Sequence, residues 1–205
     1  MSTLTKERLL ARLGDPHAAD PAPAEKRLVV TPLLSRGQVN DASIDVRLGN
    51  QFIVFRAHTL GTFRPDDAVG TLRRMQDRQV LKYGGHFVLH PGTLTLASTF
   101  EYLRMPDDLE CQVEGRSSWA RVGLAVATAT AVEPGFKGVI TLELSNVGTI
   151  PLQIHPGVRI AQLVFRDALP SVSRAYGGRR KYRCPIGPEF SRLHEDVDAA
   201  VFRHD

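Results

Sequence analysis

Two short segments of the chain concentrate side chains able to do chemistry. In Glu114-Gly-Arg-Ser-Ser-Trp-Ala-Arg121, Gly115 lets the backbone turn after an alternating stretch, and a guanidinium, two hydroxyls and amide donors follow directly. Arg116, Ser117 and Ser118 at the opening of a helical turn suit an anion, because a first turn carries N–H groups without helical partners and a favourable dipole. A plain serine N-cap on a surface helix accounts for the same residues. The second segment is Glu133-Pro-Gly-Phe-Lys-Gly-Val-Ile-Thr-Leu-Glu-Leu144. A strand starting near Val139 sets Ile140, Leu142 and Leu144 on one face and Val139, Thr141 and Glu143 on the other. Glu143 is then a carboxylate on the less apolar face, able to act as a general base or simply to be solvated. Neither segment alone decides between its two readings.

The elements that must position these residues are mostly strands. Ile44–Leu48 and Gln51–Phe55 alternate and are separated by Gly49-Asn50, which reads as a hairpin turn. Further strands are expected at His86–His90, Thr93–Phe100, Leu109–Val113, Val139–Leu144, Leu152–Ile154 and Arg159–Phe165. Turn chemistry separates them: Pro91-Gly92, Pro106-Asp107-Asp108, Pro134-Gly135 and Pro156-Gly157. Leu4, Leu9, Leu10 and Leu13 fall at roughly helical spacing, stopped by Gly14-Asp15-Pro16, and the Ala- and Pro-rich stretch Asp15–Glu25 reads as a loop. A second helix is expected over Asp66–Gln76, with Asp66 or Asp67 as cap and Val69, Leu72 and Met75 inward. The expected fold class is mainly β, a distorted barrel or jelly-roll with a few short helices. No βαβ rhythm supports a Rossmann or P-loop architecture, and no internal repeat is evident.

Composition sets the outer limits. A length of 205 residues suits one domain, and 42% hydrophobic with 23% charged residues suits a soluble globular protein. No apolar run approaches the roughly 20 residues that span a membrane, and Met1-Ser-Thr-Leu-Thr-Lys-Glu lacks the order of a signal peptide. A cytoplasmic protein without membrane association is expected. Two cysteines, Cys111 and Cys184, make neither a disulfide framework nor a cysteine metal cage. The net charge is +4, part of it in a tail with Arg174, Arg179, Arg180, Lys181 and Arg183. That tail lacks the interleaved aromatics of a single-strand binder, so nucleic acid is not an expected partner.

Taken in order and spacing, GRSSWAR, EPGFKG, ITLELSN and IHPGVRIAQLVF resemble the dCTP deaminase family of the trimeric dUTPase-like superfamily. The resemblance extends to Asp41-Ala-Ser-Ile-Asp-Val-Arg-Leu-Gly49, Phe87–Gly92, Tyr176 and Lys181-Tyr182, and so covers about Asn40 to Arg183. It implies a single domain: an N-terminal helix and loop (1–39), a β core of the dUTPase-like type (40–170) and a tail closing over the nucleotide (171–205). Hydrolysis of dCTP to dUTP and ammonia is the implied activity. Glu143 would activate the water, and Ser117 and Arg121 would hold water and carboxylate in place. Arg116, Ser117, Ser118, Tyr176 and Lys181 would meet the triphosphate. Thr128, Ala129, Glu133 and Phe136 would surround base and sugar. Mg2+ would ride on the phosphates, with no protein metal site, and three copies would assemble with sites between them.

Other features narrow the reading. Zinc-dependent deaminases carry H-x-E and P-C-x-x-C; this sequence has neither, so deamination is expected without zinc. The dUTPase arm R-G-x-x-G-F-G-S is missing, and the tail reads Tyr176-Gly-Gly-Arg-Arg-Lys-Tyr182 instead. Several positions depart from the family pattern. Glu133 replaces an Asp, Trp119 replaces a Leu, and Cys184-Pro185-Ile186 replaces a polar stretch. The segment between Leu124 and Glu133 is one residue short and lacks a histidine. Trp119 suits a subunit contact better than ligand stacking. Two alternatives remain: a bifunctional enzyme giving dUMP and pyrophosphate, and a non-catalytic nucleotide-binding regulator.

Overall fold

Alternation of apolar side chains lays down most of the strands in the computed structural model, which describes residues 2–56, 62–63, 73–127, 131–168, 182 and 184–196. The strands are β1 (Val29–Thr31), β2 (Ile44–Phe55), β3 (Gln76–Val80), β4 (Phe87–Leu89), β5 (Leu94–Arg104) and β6 (Leu109–Gly115). They continue with β7 (Leu124–Ala127), β8 (Ala131–Val132), β9 (Lys137–Asn146), β10 (Leu152–Ile154) and β11 (Arg159–Asp167). The fold class is as the sequence indicates, mainly β. One large sheet runs β7-β9-β5-β2-β11-β6-β8, with β1 also on β5 and β3 also on β2. Its two ends come together. A Cβ on Gly115 of β6 would lie 3.8 Å from Cβ of Val126 in β7. The sheet is therefore curled into a half-barrel around one core, in which Ile44, Leu48, Phe52, Leu103, Leu109, Leu142 and Phe165 are fully buried. Each such side chain contributes roughly 1.5–3 kcal/mol relative to exposure.

The expected hairpin at Gly49-Asn50 does not form, and β2 runs through it. Leu48 pairs with Thr99 and Phe52 with Ala97, so four steps on β2 face two on β5. The glycine that reads as a turn is spent on a bulge. Backbone crowding explains why: a Cβ on Gly49 would lie 2.9 Å from Ser98 Oγ and 3.0 Å from the Ser98 carbonyl oxygen. A second bulge lies beside it, where Ser98 pairs with Thr141 and Tyr102 with Val139. There the Ile140 N–H donates to Thr99 Oγ1 at 2.9 Å instead of to a strand carbonyl. Glu101 sits inside this bulge, fully buried. Gln38 Nε2 donates to its Oε1 at 2.9 Å and the Arg47 N–H to its Oε2 at 2.8 Å.

Helix α1 (Lys6–Leu13) ends on Gly14 with φ 69°, the left-handed cap that glycine supplies cheaply. Leu4 precedes the helix and is buried, its N–H bonded to the Phe165 carbonyl at 3.0 Å; Leu9 is buried with it. Arg8 grips Asp167 with two bonds of 2.9 and 2.8 Å. The expected second helix lies mostly outside the described residues; Arg73 and Arg74 are helical, but Gln76 opens β3. A two-stranded sheet, β10 on β4, joins the body where Phe87 stacks on Phe52 at 4.6 Å. Among the described residues no helix is long and apolar enough to cross a membrane.

Candidate active site

The first chemical segment grows out of the end of β6. Arg116 is extended and stands at the cap position of a short helical turn, Ser117–Ala120. The serine N-cap reading fails here: the cap residue is Arg116, and no side chain closes the turn. Its carbonyl accepts the Trp119 and Ala120 N–H groups, both at 3.0 Å. Ser117, Ser118 and Arg121 are exposed on the isolated chain, and Arg116 is half-buried. Trp119 packs partly against the core of its own chain, and its Nε1 donates to the Arg159 carbonyl at 3.0 Å.

The turn hands the chain directly to the strand that flanks Glu143. Gly123, with φ 96°, ends it, and its carbonyl accepts the Val147 N–H at 2.8 Å. A Cβ on Gly123 would come within 2.8 Å of Gly148 backbone atoms, so the two chain reversals lie backbone to backbone. β7 then pairs with β9, Leu124 opposite Asn146 and Ala127 opposite Glu143. On its other side Glu143 faces Leu96 of β5. The alternation expected along β9 holds from Ile140 onward: Ile140, Leu142 and Leu144 are buried, while Thr141, Glu143 and Ser145 are half-buried. Val139, expected on the less apolar face, is buried as well, its N–H bonded to the Pro185 carbonyl. Ser117 and Arg121 thus precede the edge strand β7, and Glu143 lies on the strand beside it.

Glu133 and Phe136 belong to the opposite end of β9. Their turn, closed by Phe136 N–H to the Glu133 carbonyl at 3.2 Å, is fixed to the β5–β6 connection by Gly135 N–H to Pro106 and Met105 N–H to Phe136. Glu143 is six residues beyond the start of β9 at Lys137, on the order of 20 Å at 3.4 Å per residue. Within one chain the structure does not bring the two segments into one pocket. Thr128, Ala129, Tyr176 and Lys181 lie outside the described residues.

The Cys184-Pro185-Ile186 stretch is built into the fold. The Pro185 carbonyl accepts the Val139 N–H at 2.8 Å, and a Cβ on Gly138 would lie 2.4 Å from Pro185 Cδ. Glu189 N–H reaches Thr141 Oγ1 at 3.3 Å, on the same side of β9 as Glu143. Further residues not singled out by chemistry support the site. Asp45 of β2, almost fully buried, lies 3.2 Å from Arg159 Nη1 and 3.6 Å from Arg116 Nε. The one sequence signal for Asp45 is its place in the Asp41–Gly49 segment. No group of three or more His, Cys, Asp or Glu side chains that could hold a metal ion occurs among the described residues.

Residues 15–168 match the dCTP deaminase-like family. The dUMP-forming dCTP deaminase of Methanosphaera stadtmanae is 38% identical over 178 residues, covering 85% of this chain and 90% of that protein. The dCTP deaminase of Haloarcula marismortui is 41% identical over 173 residues, 82% of this chain and 88% of that protein. The crystal structure of 2'-deoxycytidine 5'-triphosphate deaminase from Agrobacterium tumefaciens superposes with a TM-score of 0.58 at 25% identity. That match covers 80% of this chain and 46% of the other, so the chain spans about half the length of that solved relative. The chain belongs to the dCTP deaminase-like family. It is, with that family, an enzyme.

Proposed function

We propose that the protein hydrolyses dCTP to dUTP and ammonia, with Glu143 as the base that activates water. The observation that carries this reading is the placement of Glu143 at the middle of β9, directly across from the strand that issues from the Arg116–Arg121 turn. Water adds to C4 of the cytosine as Glu143 takes its proton. The carboxyl passes protons to the ring and to the departing amine, and ammonia leaves as the C4 carbonyl forms. Ser117 and Arg121 position water and carboxylate. Arg116, Ser117 and Ser118 bind the triphosphate, with Tyr176 and Lys181 joining from the tail. Thr128, Ala129, Glu133 and Phe136 contact base and sugar.

Mg2+ enters on the phosphates, where it offsets their charge, as it does in most nucleotide sites. The separation of Glu133 and Phe136 from Glu143 along β9 supports sites completed between subunits of a homotrimer. A second reading is favoured by one of the relatives, named as a dUMP-forming dCTP deaminase: the same site carries dCTP on to dUMP and pyrophosphate.

The test is incubation of the purified protein with dCTP, CTP, dCMP and dUTP in the presence of Mg2+, followed by product separation. Ammonia with dUTP supports simple deamination, and dUMP supports the longer reaction. Tight binding without turnover of any of them would leave the regulator reading in place of the enzyme.

A further inference from the structure

Among the described residues Arg116 is the one cation assigned to the triphosphate, and it does not stand alone. Its Nε lies 3.6 Å from Oδ1 of Asp45, and its Nη1 donates to the Arg159 carbonyl at 3.3 Å. The same Asp45 carboxylate takes Arg159 Nη1 on its other oxygen at 3.2 Å, and that Arg159 nitrogen also donates to the Gly37 carbonyl at 3.0 Å. Asp45 is only 4% exposed at its side chain, against 33% for Arg116. One buried negative charge on β2 therefore stands between two guanidinium groups, one on β11 and one at the end of β6.

A guanidinium carries five N–H donors in a rigid fork. The contacts to Asp45 and to the Arg159 carbonyl use its Nε edge and one bond of Nη1, which leaves further donors on the fork for an anion. Two arginines around one carboxylate also keep the local charge positive, so a phosphate is still attracted after the pairing. A long unrestrained arginine loses rotamer freedom when it grips a ligand, and one already held by its Nε edge loses less. We infer that Asp45 is a positioning residue that acts through Arg116, holding its guanidinium in the orientation that meets the triphosphate. This rests on the dCTP reading above and adds to it the residue that sets the geometry of phosphate binding. Both oxygens of Asp45 are turned to arginines, and its influence passes through Arg116.

A double-mutant cycle on the full-length protein tests it. Asp45→Asn keeps the shape and an acceptor for Arg159 while removing the charge. Its expected effect is a rise of about tenfold in KM for dCTP with kcat changed much less, the signature of lost binding rather than lost chemistry. Arg116→Gln should raise KM at least as much. In the Arg116→Gln background, Asp45→Asn should then add nothing, because both changes remove one interaction. A KM increase that multiplies in the double variant, or Asp45→Asn with unchanged KM, would overturn the inference. Normal KM in Arg116→Gln would remove the phosphate role of Arg116 and the Asp45 role with it. The deaminase assignment would be judged separately, by whether Glu143→Gln loses turnover. Should Asp45→Asn not fold, Arg116→Lys supplies a second arm. Lysine keeps the charge but has no fork to satisfy Asp45, the carbonyl and an anion together. Its KM should match that of Arg116→Gln, and wild-type KM in Arg116→Lys would show that oriented presentation is not needed.

Discussion

Glu101 on β5 and Glu143 on β9 are carboxylates of one sheet, and their surroundings are opposite in kind. Glu101 lies inside a bulge, fully buried, with Gln38 and the Arg47 backbone on its two oxygens. Burial pushes its pKa above the ordinary carboxylate value, while the Arg47 N–H and the other hydrogen bonds hold it partly back. Glu143 stands half-buried in a regular ladder, opposite Ala127 on the strand that follows the turn of Ser117 and Arg121. A carboxylate with a perturbed pKa is a common mark of catalysis. Here that mark falls on the strut, because a group enclosed on every side has no path to a substrate.

The largest effect that could break this contrast is kinetic. Glu143→Gln is expected to lower kcat by about 10²- to 10⁴-fold, the range for a lost general base. Its melting temperature and nucleotide binding should stay near wild type. Full activity in that variant would end the assignment. Glu101→Ala should do the reverse. It strips acceptors from two buried donors, at about 1–3 kcal/mol for each group left unsatisfied. Each kcal/mol corresponds to roughly 2–4 °C in a chain of this size. The protein that remains folded should bind dCTP with unchanged KM.

A third measurement concerns pH. A carboxylate whose folded pKa is raised binds its proton more tightly in the native state, so stability is lost as pH rises from the ordinary carboxylate range through the raised value. Asp167 behaves oppositely, because the hydrogen bond from Arg8 lowers its pKa and its contribution is lost as pH falls. Wild type should therefore lose stability relative to Glu101→Gln on going from acid towards neutral pH, in chemical denaturation at matched ionic strength. A pH-independent difference would mean that burial does not govern Glu101. The smallest effect repeats the contrast in the thiols. Cys111 on β6 is 1% exposed and burial pushes its pKa far up, whereas Cys184 is exposed. In the native protein a thiol reagent should label Cys184 and reach Cys111 only on unfolding.

Strands with a clean alternation were legible to within a few residues. Val139–Leu144 became Lys137–Asn146, Arg159–Phe165 became Arg159–Asp167, and Leu152–Ile154 was unchanged. Polar β3 and the short β1, β7 and β8 escaped notice, since pairing partners rather than their own side chains make them strands. Gly49-Asn50 misled because a glycine needed for close approach and one needed for a turn look alike in sequence. In the proposed site, Glu143 and the Arg116–Arg121 turn stand out only through the resemblance of GRSSWAR and ITLELSN to the family pattern, since neither segment decides by itself. Asp45 was not legible, because its role depends on arginines 71 and 114 positions away that only the sheet order brings to it.

The contact of Gly123 with Gly148 has a consequence for how such a chain can change over generations. The reversal after Arg121 and the reversal after β9 meet through backbone atoms, with Asn146 Oδ1 accepting the Gly148 N–H at 2.9 Å beside them. Main chain and the buried Asn146 set their spacing, so substitutions at the neighbouring exposed Val122, Val147 and Ile150 can accumulate without altering it. The end of the sheet that carries Arg121 and Glu143 is buffered against drift in its surroundings, at the cost of Gly123, a position whose positive φ and close approach to Gly148 admit almost no other residue.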